Sequence, residues 1–175
     1  MFLTNILSVS ANSIDESIVI IKNIYLEEAE IEEVKTLLSD TMDSTFDSDE
    51  GSTFYEIYAY DDGNSTNNSG ISTYGIGDSY LVVGGELTDK KCKLLFLNIS
   101  SKHVLNNVEA DVKLKSRTGV ILYGKTRTLG SLGYNIPAYE SYTSVASAPV
   151  DSVTYSIDFT PSGLSRMNVS NKVFR

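Results

Sequence analysis

The sequence predicts a mainly β protein: an antiparallel β-sandwich with one helix near the N-terminus. Three observations predict this class. Residues 108–115 and 153–159 alternate between apolar and polar side chains, which is the period of a half-buried strand. From Tyr80 onward, short runs of strand-forming residues are separated by turn residues, as in sandwiches and barrels. Leu26–Ser39 instead spaces its apolar residues close to the helical period.

The first third of the chain contains the predicted helix. Ile18–Ile24 is β-branched and apolar, as expected for a buried strand. In Leu26–Ser39, glutamates crowd the first turns, where the helix dipole favours acidic side chains. A polar stretch follows, and Phe54–Tyr60 has aromatic or apolar side chains on both faces of a predicted strand. We therefore expect a strand–helix segment over residues 1–52, packed on a sandwich domain over residues 53–175.

The rest of the chain is predicted to be a series of strands joined by turns. Gly84-Gly85 is interpreted as a β-bulge, and Thr88-Asp89-Lys90 as the turn of a hairpin. Ser116-Arg117-Thr118-Gly119 is predicted to turn a second hairpin, with Val108, Ala110, Val112 and Leu114 facing inward. The predicted strands are Tyr80–Val83, Lys93–Ile99, Val108–Lys115, Val120–Leu129, Val153–Phe159 and Val169–Phe174.

The charge of the chain is divided unevenly along its length. Residues 1–89 carry a net charge of −16 and residues 90–175 a net charge of +7, giving −9 in all. Either the two halves neutralise each other within one fold, or acidic and basic surfaces meet between neighbouring molecules. The overall acidity disfavours a nucleic-acid partner, which requires a basic surface.

A stretch in the middle of the chain resembles a known module. Phe96-Leu97-Asn98 ends a strand in an Asn before small polar residues, Leu105 and Val108 open an alternating strand, and Gly119 precedes the return strand. This sequence pattern is similar to that of the immunoglobulin-like FxLYD modules. The whole module would span residues 80–159. The resemblance implies that the fold is an immunoglobulin-like antiparallel β-sandwich, and it implies no activity.

Few residues are suited to catalysis. The single histidine, His103, lies in a predicted turn, and a nucleophile needs such a base within reach. Cys92 stands between Lys91 and Lys93, whose charges would lower a thiol pKa, but its place in a strand favours a buried structural cysteine. The expectation is that the protein is not an enzyme.

Acidic loops offer the one candidate site for a metal ion. Asp47, Asp49, Asp61 and Asp62 supply the hard oxygen ligands that calcium prefers, although their spacing does not follow the EF-hand register. The other interpretation of these residues is a solvated acidic surface. No cofactor is expected, with calcium as the alternative.

Two sets of residues are candidates for contact with a protein partner. Lys113, Lys115, Lys125 and Arg127 are predicted to share one outward face of the second hairpin, and Glu28 and Glu32 an acidic face of the helix. Tyrosines form the other set, represented by Tyr58 and Tyr74, because tyrosine combines apolar area with a polar tip.

The leading hypothesis for function is a non-catalytic structural protein of a virus or bacteriophage particle, as a capsid-decorating, head–tail or tail component. Its partners would be protein neighbours in a homo- or hetero-oligomeric assembly, with neither nucleic acid nor membrane involved. No signal segment or membrane span is found in the sequence, which favours the virion or the cytoplasm of an infected cell. The alternative is a cell-surface or secreted module that binds glycan or protein through tyrosine-rich loops.

Overall fold

The computed structural model describes residues 19–20, 51–60, 79–100 and 102–175, and these residues form β-strands joined by turns. No helix occurs among them, and therefore none that is long and apolar enough to cross a membrane. The predicted helix Leu26–Ser39 lies outside the described residues. In chain order the strands are β1 Val19–Ile20, β2 Ser52–Ala59, β3 Tyr80–Leu87, β4 Lys91–Ile99, β5 Leu105–Lys115, β6 Ile121–Leu132, β7 Ala138–Thr143, β8 Ser152–Pro161 and β9 Met167–Phe174.

The nine strands form two sheets. The five-stranded sheet has the order β1-β9-β8-β5-β6, and the four-stranded sheet has the order β2-β3-β4-β7. All neighbours are antiparallel except β1 and β9, which are parallel. The prediction of a mainly β, two-sheet sandwich is confirmed at this level. Strand β1 comes from the predicted N-terminal segment and joins the sheet of the sandwich domain.

The core lies between the two sheets and follows the predicted alternation. Val108, Ala110, Val112 and Leu114 of β5 are fully buried, whereas the residues between them are partly or fully exposed. In β8, the apolar residues Val153, Tyr155, Ile157 and Phe159 join the same core cluster. Period-two patterning therefore placed both strands and their inward faces correctly.

The predicted bulge at Gly84-Gly85 is wrong. Both glycines pair in unbroken register with β2 on one side and β4 on the other. A Cβ atom at Gly85 would lie 2.6 Å from Cζ of Phe54 and 2.9 Å from Cδ2 of Leu94. Glycine is present because the side chains of the two neighbouring strands fill the space above it.

The irregularities occur instead in β5. The register with both of its partners shifts before Glu109, and Asn107 adopts a φ of 51°, in the left-handed region that asparagine tolerates better than most residues. A second shift separates Leu114 and Lys115 where the hairpin narrows to its turn. Gly119, with a φ of 83°, completes that turn as predicted.

The buried side chain of Asn98 connects the two sheets at one end of the sandwich. Asn98 lies on β4, and its Nδ2 donates to the carbonyl oxygens of His103 at 2.8 Å and of Leu132, the last residue of β6, at 3.1 Å. Its backbone carbonyl accepts from the amide of Asn135 at 2.9 Å. One fully buried amide therefore holds the ends of β4 and β6 and the β4–β5 connection together.

We predict that Asn98→Leu lowers the free energy of unfolding by about 2–4 kcal/mol, because one buried and one partly buried carbonyl lose their donor while the volume changes little. Urea unfolding followed by circular dichroism measures this loss. Asn106→Leu, on the partly exposed face of β5, is the matched control, and its expected effect is within about 0.5 kcal/mol. Equal effects of the two substitutions would contradict the role assigned to Asn98.

Candidate interaction surface

On one side of the sandwich, the last strands of the two sheets, β6 and β7, lie against each other. Strand β6 has 12 residues and is the edge of the five-stranded sheet, whereas β7 has six and is the edge of the four-stranded sheet. Because β6 is twice as long, part of its inward face extends beyond β7 into solvent. Most of its residues are partly or fully exposed, unlike those of the central strands.

The basic side chains of the second hairpin do not share one face, and that prediction is wrong. Lys125 pairs with Val112 and Arg127 with Ala110, so both lie on the inward face, whereas Lys113 and Lys115 lie on the outward face. An inward Lys or Arg is tolerated because β6 is an edge strand with solvent at its side. The sequence contained a signal for this inward direction. Tyr123 and Leu129 are an even number of residues from Lys125 and Arg127, and both pack against the core.

Arg127 instead connects the two edge strands. Its Nε lies 3.4 Å from Oε2 of Glu140 on β7. The N–H of that atom is not aligned for a hydrogen bond, so the contact is an attraction of charges rather than a bonded pair. Beside it, the rings of Tyr123 and Tyr142 meet edge to face with their centroids 6.5 Å apart.

The hydroxyl of Tyr142 is buried and finds no hydrogen-bond partner among the described residues. The side chain is fully enclosed, and burial together with the nearby Glu140 carboxylate raises its pKa well above the usual tyrosine value. An unpaired buried hydroxyl destabilises the folded state, because it has given up its hydrogen bonds to water.

Exposed apolar and basic side chains follow this edge of the molecule. We call Ile121, Lys125, Tyr134 and Ile136 the β6 edge surface. Ile121, at the start of β6, is 55% exposed, Tyr134 and Ile136, after its end, are 57% and 63% exposed, and Lys125 is exposed within the strand. Strand β6 alone is about 40 Å long. Exposed large apolar side chains next to an unpaired strand edge are typical of protein–protein contact surfaces.

Much of the basic charge is neutralised within the fold. Lys115, which pairs with Ile121, forms no ion pair with a described residue, and neither do Arg117 and Lys125. Basic charge therefore remains unneutralised near Ile121. The ion pairs of the described part are Lys93–Glu86, Lys113–Asp111, Arg127–Glu140, Arg166–Asp158 and Arg175–Asp89.

Tyr58 does not belong to a binding loop, and its selection as a contact residue is wrong. It lies on β2 with its side chain directed into the core, and only 4% of it is exposed. Its hydroxyl shares a hydrogen bond with the hydroxyl of Tyr155 on β8, with 2.7 Å between the oxygens. Burial raises the pKa of both hydroxyls well above the usual range. Tyr58 joins the two sheets and offers no surface to a partner.

The other predicted site residues lie outside the described residues. These are the acidic pair of the predicted helix, one tyrosine and the four candidate calcium ligands: Glu28, Glu32, Tyr74, Asp47, Asp49, Asp61 and Asp62. Within the described ranges, no group of three or more His, Cys, Asp or Glu side chains is placed to hold a metal ion.

Cys92 and His103, the two residues considered for catalysis, contact other parts of the fold. Cys92 is fully buried in the core, as predicted, and burial, with the Glu86 carboxylate adding to it, raises the pKa of the thiol to about 12. Its lysine neighbours therefore do not produce a reactive thiolate. His103 is partly exposed, and its Nδ1 lies 2.9 Å from the carbonyl oxygen of Ser162, which it joins to the β4–β5 connection.

Two tyrosine-to-phenylalanine substitutions are expected to change stability in opposite directions. Tyr155→Phe removes one partner of a buried hydrogen bond and lowers the free energy of unfolding by about 1 kcal/mol. Tyr142→Phe removes an unpaired buried hydroxyl and leaves that free energy unchanged or raises it by up to about 1 kcal/mol. Urea unfolding at pH 7 compares them, and each is the control for the other. A loss of similar size for both would show that Tyr142 has a partner.

No family model matches this chain, and no curated protein matches it. The resemblance of residues 80–159 to FxLYD modules stays a prediction.

Proposed function

We propose that this chain is a non-catalytic structural protein that assembles with protein neighbours through the β6 edge surface. The observation that carries the proposal is that Ile121 and Lys125 are exposed on an edge strand that is unpaired in the described part of the chain, with Tyr134 and Ile136 exposed in the connection that follows it. A partner covering this surface would remove the apolar area from water and give Lys125 an opposite charge to face.

The charges favour a head-to-tail arrangement over a symmetric one. Two copies joined β6 to β6 about a two-fold axis would pair these strands antiparallel and bring the two Lys125 side chains, which lie near the middle of β6, close together. Like charges in close contact are unfavourable. The first 89 residues carry a net charge of −16, which is opposite in sign to the charge of Lys125 and its basic neighbours. Contacts between different surfaces of identical chains build rings or filaments.

Rings and filaments of one repeated chain are the architecture of virus and bacteriophage particles, and we place the protein there as a capsid-decorating, head–tail or tail component. We further propose that its sandwich is of the immunoglobulin-like class. Mass spectrometry of particles purified from the source culture tests the placement: the chain should be present in many copies per particle, and its absence from particles would overturn it.

The alternative is a cell-surface or secreted module that binds glycan or protein through exposed tyrosines. This alternative is weakened because Tyr58 is buried in the core. It is favoured by Tyr134 and Tyr139, which are 57% and 44% exposed. Tyr134→Ala separates the two functions. Loss of glycan binding without loss of self-association would favour the module.

We predict that the purified chain self-associates at low salt and dissociates as the salt concentration rises, because ions screen exposed charges within a few ångströms. Lys125→Glu should weaken the association about fivefold, the upper value for one favourable exposed charge pair. Light scattering across protein concentration, at 0.05 M and 0.5 M salt, measures both effects.

Lys172→Glu is the matched control, since it makes the same charge change on exposed β9, three strands away from β6 in the sheet. We expect it to leave the association within twofold of the unchanged chain. A protein that stays monomeric at every salt and protein concentration would overturn self-assembly, and equal weakening by the two variants would remove the role of the β6 edge surface.

A further inference from the structure

Strand β6 has peptide groups along its open edge that no described group bonds. Ser116, directly after β5, donates its amide to the carbonyl oxygen of Val120 at 2.9 Å and so bonds toward β6. In an antiparallel sheet, residues two apart bond to the same side. The residues of β5 an even number before Ser116 therefore bond to β6, and their partners in the register are Tyr123, Lys125 and Arg127. The residues that direct their N–H and C=O groups away from β5 are Gly124, Thr126 and Thr128.

The opposite edge of the same sheet is partly closed by the chain itself. Strand β1 pairs with Met167 and Asn168 of β9, and the amide of Lys172 donates to Oδ1 of Asn171 at 2.7 Å. An open strand edge is a template for another strand, and a side chain that bonds an edge amide reduces this tendency. Among the described residues, no side chain bonds the edge groups of β6 in this way.

Register shifts limit the open stretch of β6 to six residues. The register with β5 is unbroken from Tyr123 to Thr128, and it shifts beyond each end of that stretch. Shifts of this kind bend a strand and interrupt regular pairing, so an added strand would be confined to the residues between them. Six residues measure about 20 Å, the usual length of a strand in a folded protein.

The side chains of this stretch are compatible with a further strand. Gly124, Thr126 and Thr128 are exposed, and threonine is β-branched, which favours extended structure. On the other face, Arg127 is already opposite Glu140 of β7, whereas Lys125 forms no ion pair with a described residue. The charge of Lys125 is therefore the one that an added strand has to neutralise.

Lys125 determines which kind of strand fits. Because Lys125 bonds to β5, an antiparallel strand added at the edge would form a non-hydrogen-bonded pair at this position, with the two Cα atoms about 4.5 Å apart. Directly across such a pair an opposite charge is favourable and a like charge is unfavourable. The added strand is therefore expected to present an acidic side chain to Lys125. A second copy of the chain has the charge for this, with 23 acidic and 14 basic side chains.

We propose that the edge of β6 between Tyr123 and Thr128 takes up an extended acidic segment of a neighbouring copy as an added strand, with an acidic side chain opposite Lys125. This inference rests on the proposed function, because it states how the β6 edge surface binds its partner. The peptide groups of Gly124 and Thr126, with those of Thr128, supply main-chain hydrogen bonds, and Lys125 supplies the selection for charge. The five-stranded sheet then continues into the neighbouring molecule.

A proline at the edge tests the use of main-chain groups. Thr126→Pro removes an N–H that no described group bonds, at a kind of position where edge strands tolerate proline. Light scattering at 0.05 M salt should show self-association weakened about tenfold or more, because the added strand loses a hydrogen bond and meets the proline ring. Ser170→Pro is the matched control. It removes an amide N–H on the exposed edge of β9 and should leave the association within twofold of the unchanged chain.

Hydrogen exchange of the unchanged chain is the second measurement. The amides of Gly124, Thr126 and Thr128 should exchange about tenfold or more slowly in the assembly at 0.05 M salt than in the monomer at 0.5 M salt. The amide of Gly163, exposed in the turn between β8 and β9, is the internal control and should change less than twofold.

A loss of stability is separated from a loss of binding by urea unfolding of each variant. The hydroxyl of Thr126 also bonds Oδ1 of Asp111 at 3.3 Å, so if Thr126→Pro is less stable than Ser170→Pro, Thr128→Pro replaces it with the same criteria.

The outcomes distinguish this inference from the proposed function. Association that persists with unprotected edge amides and with equal affinity in the two proline variants would overturn strand addition, while assembly through the side chains of the β6 edge surface would stand. Protection of the edge amides only after a different protein is added would overturn a second copy as the partner. A chain that is monomeric at every salt and protein concentration would overturn both proposals.

Discussion

The burial of β3 and β4 on both faces is the constraint on which the rest of the structure depends. A strand of an antiparallel sandwich usually has one apolar face, whereas Leu81 and Val82 are adjacent in β3 and both fully buried. The sandwich core satisfies the inner face only. The four-stranded sheet is therefore stable only with cover on both sides, and Gly85 shows how closely its inner face is already filled.

The two sides of the sandwich are joined by different chemistry. On one side, the hydroxyls of Tyr58 on β2 and Tyr155 on β8 share a buried hydrogen bond. On the other, Arg127 and Glu140 are partly solvated, and Tyr142 has an unpaired hydroxyl beside them. The first arrangement fixes the distance between the sheets, and the second leaves an edge with polar groups that are incompletely satisfied. An interaction surface is therefore expected on the β6 side rather than the β2 side.

Period-two patterning predicted the sandwich, because burial of one face imposes a signal that each strand carries alone. Val108–Leu114 and Val153–Phe159 have that signal without interruption, and their inward faces were predicted correctly. The direction of Lys125 and Arg127 was missed because residue type suggested solvent, whereas strand parity, seen in Tyr123 and Leu129, pointed inward. Tyr58 and Gly85 depend on what lies opposite them in another strand, and no local pattern contains that information. Seven of the twelve predicted site residues, including all four candidate metal ligands, lie in parts of the chain that the structure does not describe.

The burial of Asn98 has a consequence for how the protein is made. Asn98-Ile99-Ser100 has the Asn-x-Ser pattern that is glycosylated in secretory compartments, yet its amide nitrogen is enclosed and donates to two carbonyl oxygens. A sugar attached there before folding would occupy the space in which the ends of β4 and β6 meet. Passage through a secretory pathway therefore sets sugar transfer in competition with folding at this residue, and a chain modified first is excluded from the native state. Production in a compartment without that machinery avoids the competition.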